Sequence, residues 1–236
     1  VIRAPMGEMY EKTFRSGFDR YPSSCFEVQA IRVGDVDSCP ILMWSDASSS
    51  ALWTLHSGWL DSERASQWRR LLQEKVDWQQ PTVQVYGRRH RVPRFTTFLA
   101  EEGLRYRYSG TVHNGAGWPS WFRPLLDRVN QVCDARFNGC LLNLYRNGDD
   151  RMGWHADDEP EINQQRPIAS LSLGGSRDFV LRERTEQKRM VSLPLSDGDL
   201  LVMHPGCQQR WMHSLPTRRR GLNTRINLTF RCFQTP

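Results

Sequence analysis

The chain has 236 residues, 39% hydrophobic and 25% charged, with a net charge of +6, which is enough for one sizeable core and short for two. No apolar run approaches the roughly 18 to 20 residues that span a bilayer, and no basic, apolar and small-residue succession opens the chain, so neither membrane insertion nor secretion is expected. Cys25, Cys39, Cys133, Cys140, Cys207 and Cys232 form no C-x-x-C pair, which argues against a zinc module or a disulfide framework and for a reduced, cytoplasmic protein.

Residues 1–50 show no sustained periodicity, contain Ser23-Ser24 and Ser48-Ser49-Ser50, and are expected to form a loosely ordered extension. Asp61-Ser62 signals a helix start, and Ala65, Trp68 and Leu72 continue at helical spacing to Lys75. Val83 to Tyr86 and Leu104 to Ser109 alternate with period two and predict strands. Between 85 and 108, Arg88, Arg89, Arg91, Arg94, Arg105 and Arg107 interleave with Tyr86, Phe95, Phe98, Tyr106 and Tyr108, a texture that suits a nucleic-acid surface. Of the 32 basic residues only Lys12, Lys75 and Lys188 are lysine; arginine suits phosphate recognition, although a GC-rich genome would favour it too. A second helix is predicted over Pro119 to Cys133, with Phe122, Leu125, Val129 and Val132 on one face.

From Cys140 the texture changes to short β-branched and aromatic runs: Cys140–Arg146, Ile168–Leu173, Phe179–Arg182, Arg189–Leu193, Asp199–Met203, Trp211–Leu215 and Thr224–Arg231. Turn signals such as Asn147-Gly148, Gly174-Gly175, Asp197-Gly198 and Pro205-Gly206 separate them. Many strands without long intervening helices predict a mainly β (α+β) jelly roll, braced on one face by the upstream helices.

The last run carries the clearest chemical pattern. Alternation sends Ile226, Leu228 and Phe230 to one face and Arg225, Asn227, Thr229 and Arg231 to the other. The apolar set fits a core; the polar set would be solvated in an ordinary strand, but two guanidinium forks around an amide and a hydroxyl also make a site for a small dianion. Asn143 and Tyr145 share a face of the strand at 141–145 and could converge on the same ligand. His155-Ala156-Asp157 puts an imidazole and a carboxylate on one side of an extended segment. With His213, mid-strand in a later run, they would complete the two-histidine, one-carboxylate set of non-haem Fe(II) oxygenases. The same set suits hydrolytic Zn²⁺, against which the arginine strand argues, since a hydrolase needs no dicarboxylate pocket. His56, His90, His113 and His204 are read as surface or core groups.

Asn143-Leu144-Tyr145, the run His155 to Glu159, His213 followed by Ser214-Leu215-Pro216, and Arg225 to Arg231 together resemble the AlkB family of iron- and 2-oxoglutarate-dependent nucleic-acid dealkylases, over about residues 52–233. The likeness is greatest to the branch that holds the two human DNA-repair homologues. It implies a double-stranded β-helix, another name for the jelly roll, with 51–139 as helices and a nucleotide-recognition hairpin region and 140–236 as the catalytic core of the same domain. It implies Fe(II) on His155, Asp157 and His213, with 2-oxoglutarate held by Asn143, Tyr145, Arg225, Asn227, Thr229 and Arg231. With O₂, decarboxylation to succinate would be coupled to hydroxylation of an N-alkyl carbon and loss of formaldehyde, the implied substrates being 1-methyladenine and 3-methylcytosine in DNA, or RNA. Tyr106, Tyr108 and Ser109 would line the base pocket, Asp158 and Glu159 would meet the cationic base, and Val85-Tyr86-Gly87 resembles a hairpin that fills the gap left by a flipped base. A monomer without membrane association is expected, nucleoid-accessible if bacterial and nuclear if eukaryotic. A 2-oxoglutarate oxygenase acting on protein or small molecules, and a non-catalytic nucleic-acid-binding module on the same fold, are the competing readings.

Overall fold

The structure is a computed structural model that describes residues 28–31, 41–44, 52–85, 88–108, 111–187, 189–219 and 223–234. Within the stretch expected to be loosely ordered, β1 (Val28–Ile31) and β2 (Ile41–Trp44) are strands, and β2 pairs with β3 (Trp53–His56). The short apolar runs Val-Gln-Ala-Ile and Ile-Leu-Met-Trp are long enough to add strands to an existing sheet, although too short to stand out as periodic in sequence.

Helix α1 (Ser62–Lys75) begins where Asp61 caps it, its carboxylate accepting from the Arg64 N–H at 2.8 Å. Ala65 and Leu72 are fully buried and Trp68 packs beside them. Strands β4 (Thr82–Val85) and β5 (Arg88–Arg91) form one hairpin, β6 (Phe95–Ala100) joins the main sheet, and β7 (Arg105–Tyr108) pairs with β8 (Thr111–Asn114). Helix α2 (Arg123–Cys133) starts four residues later than predicted, because Pro119 to Phe122 close a turn and Pro124 falls in the first helical turn, where its missing N–H costs nothing. Val132, placed on the core face by spacing, is exposed at the helix end, while Leu125 and Val129 are buried.

The remaining elements are β9 (Gly139–Tyr145), β10 (Met152–His155), β11 (Ile168–Gly174), β12 (Arg177–Glu183), β13 (Met190–Leu195), β14 (Leu200–Met203), the short α3 (Cys207–Arg210), β15 (Trp211–Leu215) and β16 (Arg225–Arg231). All strand pairs are antiparallel, in a sheet ordered β1-β2-β3-β14-β11-β16-β9-β6 and a smaller one ordered β10-β15-β12-β13. This is the double-stranded β-helix, with the helices bracing the large sheet as expected.

Strand alternation divides the core in two. Cys140, Leu142, Ile226, Leu228 and Phe230 face the helices with Leu72, Phe122, Leu125 and Val129. Phe122 stacks between Trp118 and Phe230, and burial of each such ring is worth about 1.5–3 kcal/mol. The second cluster holds Trp53, Ile168, Phe179, Leu181, Leu193, Leu201 and Trp211, drawn from both sheets. Every residue of β16 is buried, so its polar face turns inward. No helix among the described residues is long and apolar enough to cross a membrane. Cys133, Cys140, Cys207 and Cys232 are free thiols, the last three buried.

Candidate active site

The metal-type cluster is assembled by strand register. β10 pairs with β15 so that His155 lies directly opposite His213, with ring centroids 4.2 Å apart. A β-bulge between Met152 and His155 re-aims the end of β10 and leads into Asp157. One ligand atom from each of His155, Asp157 and His213 lies within 4.8 Å of the others. Phe179 stacks on the His213 ring at 5.0 Å and fixes its plane. His56, His90, His113 and His204 lie outside this group; the His204 ring is bonded to Thr54 Oγ1 at 2.8 Å.

Two observations test whether a metal fits. Asp157 Oδ2 accepts from Arg231 Nε at 3.1 Å and Nη2 at 2.8 Å, whereas Oδ1 is buried without a hydrogen-bond partner and lies 3.9 Å from His155 Nε2. A buried bare carboxylate oxygen facing two imidazoles is costly unless a cation completes it. The His155 Nδ1 edge is engaged by Gly153 O at 2.9 Å, which leaves Nε2 toward the cluster. A mixed imidazole and carboxylate donor set on one face suits Fe(II).

The electrostatics favour the same state. Burial would raise the Asp157 carboxyl, but Arg231, His213 and His155 outweigh it and bring its pKa down to about 2. Burial, with His155 alongside, lowers His213 to about 3, and burial lowers His155 as well. The cluster therefore presents one carboxylate and two neutral imidazoles at neutral pH, the forms a metal ion requires.

Beside it lies the polar face of β16. The pocket is lined by Asn143, Tyr145, Ser170, Asn227, Thr229 and the two arginines, continuous with His155, Asp157 and His213. Registers Arg225↔Tyr145 and Asn227↔Asn143 bring β9 and β16 together as alternation anticipated. Arg225 donates through Nη2 to Ser172 Oγ at 2.9 Å, while its Nε and Nη1 are buried without partners. Burial depresses its pKa to about 10. Arg231 Nη1 is likewise unpartnered. Burial pulls Arg231 down, yet Asp157 more than offsets this and its pKa is raised. Orphaned guanidinium donors at both ends of one pocket fit an elongated dianion. Asn227 is committed to Ser170 Oγ and Leu171 O, so it braces the wall.

The residues expected to meet substrate divide into groups. Tyr86, Gly87 and Ser109, and the side chains of Val85 and Tyr108, lie outside the described residues. The Tyr106 ring is fully buried against Phe98 and Phe233, and its hydroxyl donates to Glu159 Oε1 at 3.1 Å. Burial, reinforced by Asp157, pushes the Glu159 carboxyl up. Asp158 is exposed and paired with Arg184 at 2.5 Å. The basic-aromatic reading of 85–108 is corrected in part: Arg94 is buried and donates to Asn143 Oδ1 at 2.8 Å, and Phe98 and Tyr106 belong to packed aromatic clusters.

Several contributors were not anticipated. Gln208 Oε1 accepts from the Asp157 N–H at 2.9 Å and Gln164 Nε2 donates to the Asp157 carbonyl at 3.1 Å, pinning the backbone on both sides of the Asp157 Cα. Nothing in the sequence marks either glutamine. Ser170 and Ser172 did leave a signal, as polar residues two apart in an otherwise apolar run.

The 2OG-Fe(II) oxygenase superfamily model matches residues 53–231. DNA oxidative demethylase ALKBH2 of Mus musculus is 40% identical over 156 residues, 63% of this chain and 65% of that protein; the Homo sapiens protein of the same name matches equally, over 60% of its length. Alpha-ketoglutarate-dependent dioxygenase alkB homolog 3 of Homo sapiens is 34% identical over 186 residues, 75% of this chain and 64% of that protein. The chain thus spans somewhat less than two thirds of these relatives. The structure of OsALKBH1 aligns with a TM-score of 0.53 at 18% identity, covering 78% of this chain and 99% of that one, a likeness of fold. With a matched segment that contains every ligand-type residue of the pocket, the chain belongs to the 2OG-Fe(II) oxygenase superfamily and, within it, to the AlkB family.

Proposed function

We propose that the protein is an oxidative demethylase that reverses N-alkyl damage, of the 1-methyladenine and 3-methylcytosine type, in DNA. The observation that carries this reading is the bare Asp157 Oδ1 between His155 and His213, in one pocket with the unpartnered donors of Arg225 and Arg231. Iron, 2-oxoglutarate and O₂, when bound, supply decarboxylation to succinate coupled to hydroxylation of the N-alkyl carbon, after which formaldehyde leaves and the base is restored.

The protein's part is to hold and to exclude. His155, Asp157 and His213 would hold the ion through one ligand atom each. Arg231, tied to Asp157, stands at the metal end of the pocket and Arg225 beside Tyr145, so these two arginines would hold the two carboxylates of a 2-oxo diacid. Asn143 and Thr229 line the same wall. Asp158 and Glu159, which follow Asp157 in sequence, are read as the acids that meet a cationic alkylated base, Asp158 from its pair with Arg184 and Glu159 from its bond with Tyr106. Tyr86 is read as filling the gap left by the flipped base, with Arg88, Arg89 and Arg91 on phosphates. The relatives named as DNA demethylases support nucleic acid as the substrate. The protein is read as a monomer away from membranes in a reducing compartment, a reading that rests on the lack of any C-x-x-C pair in the sequence.

The test is formaldehyde release from an oligonucleotide carrying 1-methyladenine, with iron and 2-oxoglutarate present. Release is expected from the wild type and loss of at least about a thousandfold in His155→Ala. Tight, salt-sensitive DNA binding without turnover on any alkylated substrate would point instead to a non-catalytic binding module.

A further inference from the structure

Arg177 opens β12 and is 2% exposed, one of the largest fully buried side chains of the protein. It has no role in the chemistry described above. Its Nη1 donates to Asn147 O at 2.9 Å, and its Nη2 donates to Asp150 O at 2.9 Å and Pro216 O at 2.6 Å. Those carbonyls belong to the loop after β9, the strand of Asn143 and Tyr145, and to the end of β15, the strand of His213.

Its charge is met only at a distance, by Asp150 and Asp178. Among the described residues no carboxylate forms a salt bridge with Arg177, and Arg177 Nε is buried without a partner. Asp150, the acid of the same loop, is held by Arg146 through two bonds of 2.8 and 2.7 Å. Arg225, beside the same Tyr145 ring, also keeps buried donors without partners and has no carboxylate near it among the described residues. The guanidinium carbons of Arg177 and Arg225 stand 5.9 and 5.5 Å from the centroid of that one ring. Two buried guanidinium groups thus stand against one aromatic side chain of the pocket; Asp150 and Asp178 act on Arg177 from a distance, whereas the desolvation of Arg225 is left for an anion in the pocket to offset. Arg225 is too deeply buried for a nucleic-acid phosphate to reach, so the anion that meets it is the pocket's own small ligand.

We infer that Arg177 is a positioning and specificity residue for the co-substrate: through Tyr145 and beside Arg225 it adds the second positive charge that makes the pocket select a 2-oxo acid with a distal carboxylate over one without. This rests on the co-substrate reading above and extends it to a residue that does not line the pocket. Arg225 meets the carboxylate directly. Arg177 locks the Tyr145 ring and the two segments at the pocket end, and its field acts over the remaining distance.

The experiment is calorimetric binding to the Mn²⁺-loaded protein without oxygen, comparing 2-oxoglutarate with 2-oxopentanoate, which has the same carbon chain and no distal carboxylate. Arg177→Gln keeps an amide donor for the carbonyls and removes the charge. Its Kd for 2-oxoglutarate is expected to rise about tenfold, while its Kd for 2-oxopentanoate stays within about twofold of wild type. Arg177→Lys, which keeps the charge, is expected to retain most of the preference. Should Arg177→Gln not fold, Arg177→Met carries the same comparison with the stem volume preserved. Equal weakening of both acids would show a purely structural role, and no weakening of either would show none; both outcomes overturn the inference. A wild-type protein that binds metal but not 2-oxoglutarate overturns the co-substrate reading itself, and this is seen before any variant is made.

Discussion

Asp157 divides its two oxygens between different tasks. Oδ2 takes both bonds from Arg231, and this pair, with the imidazoles, lowers the carboxyl to about 2 while Oδ1 stays bare. The histidines are held neutral by burial, His213 down to about 3. Metal uptake usually expels protons from its ligands. Here the folded protein has already done so, and uptake near pH 7 is expected to release essentially none. Titrating Mn²⁺ into the protein in two buffers of different ionisation enthalpy checks this, since the observed heats should agree; a difference equivalent to about one proton would show that an imidazole is protonated in the metal-free state.

At the scale of elements, turn geometry sets where the strands meet. Gly198 joins β13 to β14 with φ +84°, its N–H donating to Ser172 O at 2.8 Å and its carbonyl accepting from Leu60 N–H at 3.0 Å. A Cβ there would lie 2.1 Å from the Leu60 carbonyl oxygen. Gly198→Ala is therefore expected to cost about 2 kcal/mol or more, read as a lowered urea midpoint with an unchanged slope. The hairpin β4–β5 pairs Val85 with Arg88, leaving Tyr86 and Gly87 between them in sequence. On the base-gap reading, Tyr86→Ala weakens repair of duplex about tenfold and of single strands hardly at all; equal losses on both would remove the finger from the mechanism. These elements also show what the sequence could carry. The alternation of β16 is strictly two-fold, so the common face of Arg225, Asn227, Thr229 and Arg231 was readable by counting, while its burial was not. The Asp61 cap of α1 was equally local. What escaped depended on distant partners: β10 is short and bulged, Gln208 and Gln164 meet Asp157 only because α3 and the ligand loop fold together, and Arg177 resembles any strand-start arginine until three carbonyls surround it. Interleaved arginine and aromatic residues at 94–106 misled for the same reason, since composition does not reveal which side of a strand faces the core.

At the scale of the whole molecule, a site built from buried ionisable groups ties stability to pH. His213 has a folded pKa near 3 against about 6.5 in an unfolded chain, and His155 is shifted the same way. Between those values the unfolded state binds more protons, so the metal-free fold weakens as pH falls from about 6.5. Asp157 adds to this lower down: its folded pKa of about 2 lies below the ordinary carboxylate value, so its contribution is complete above about 4 and is lost as pH drops toward 2. The two effects have the same sign. His213 alone makes the metal-free protein about 2.5 kcal/mol less stable at pH 4.5 than at pH 7. Urea unfolding at the two pH values measures the loss, and His213→Gln, which cannot take up the proton, should flatten the slope even if it lowers stability at pH 7. An unchanged slope in that variant would mean that acid sensitivity originates elsewhere. A bound metal ion opposes protonation of the same imidazoles, so the loaded protein should keep its neutral-pH stability further into acid and then lose metal and fold together.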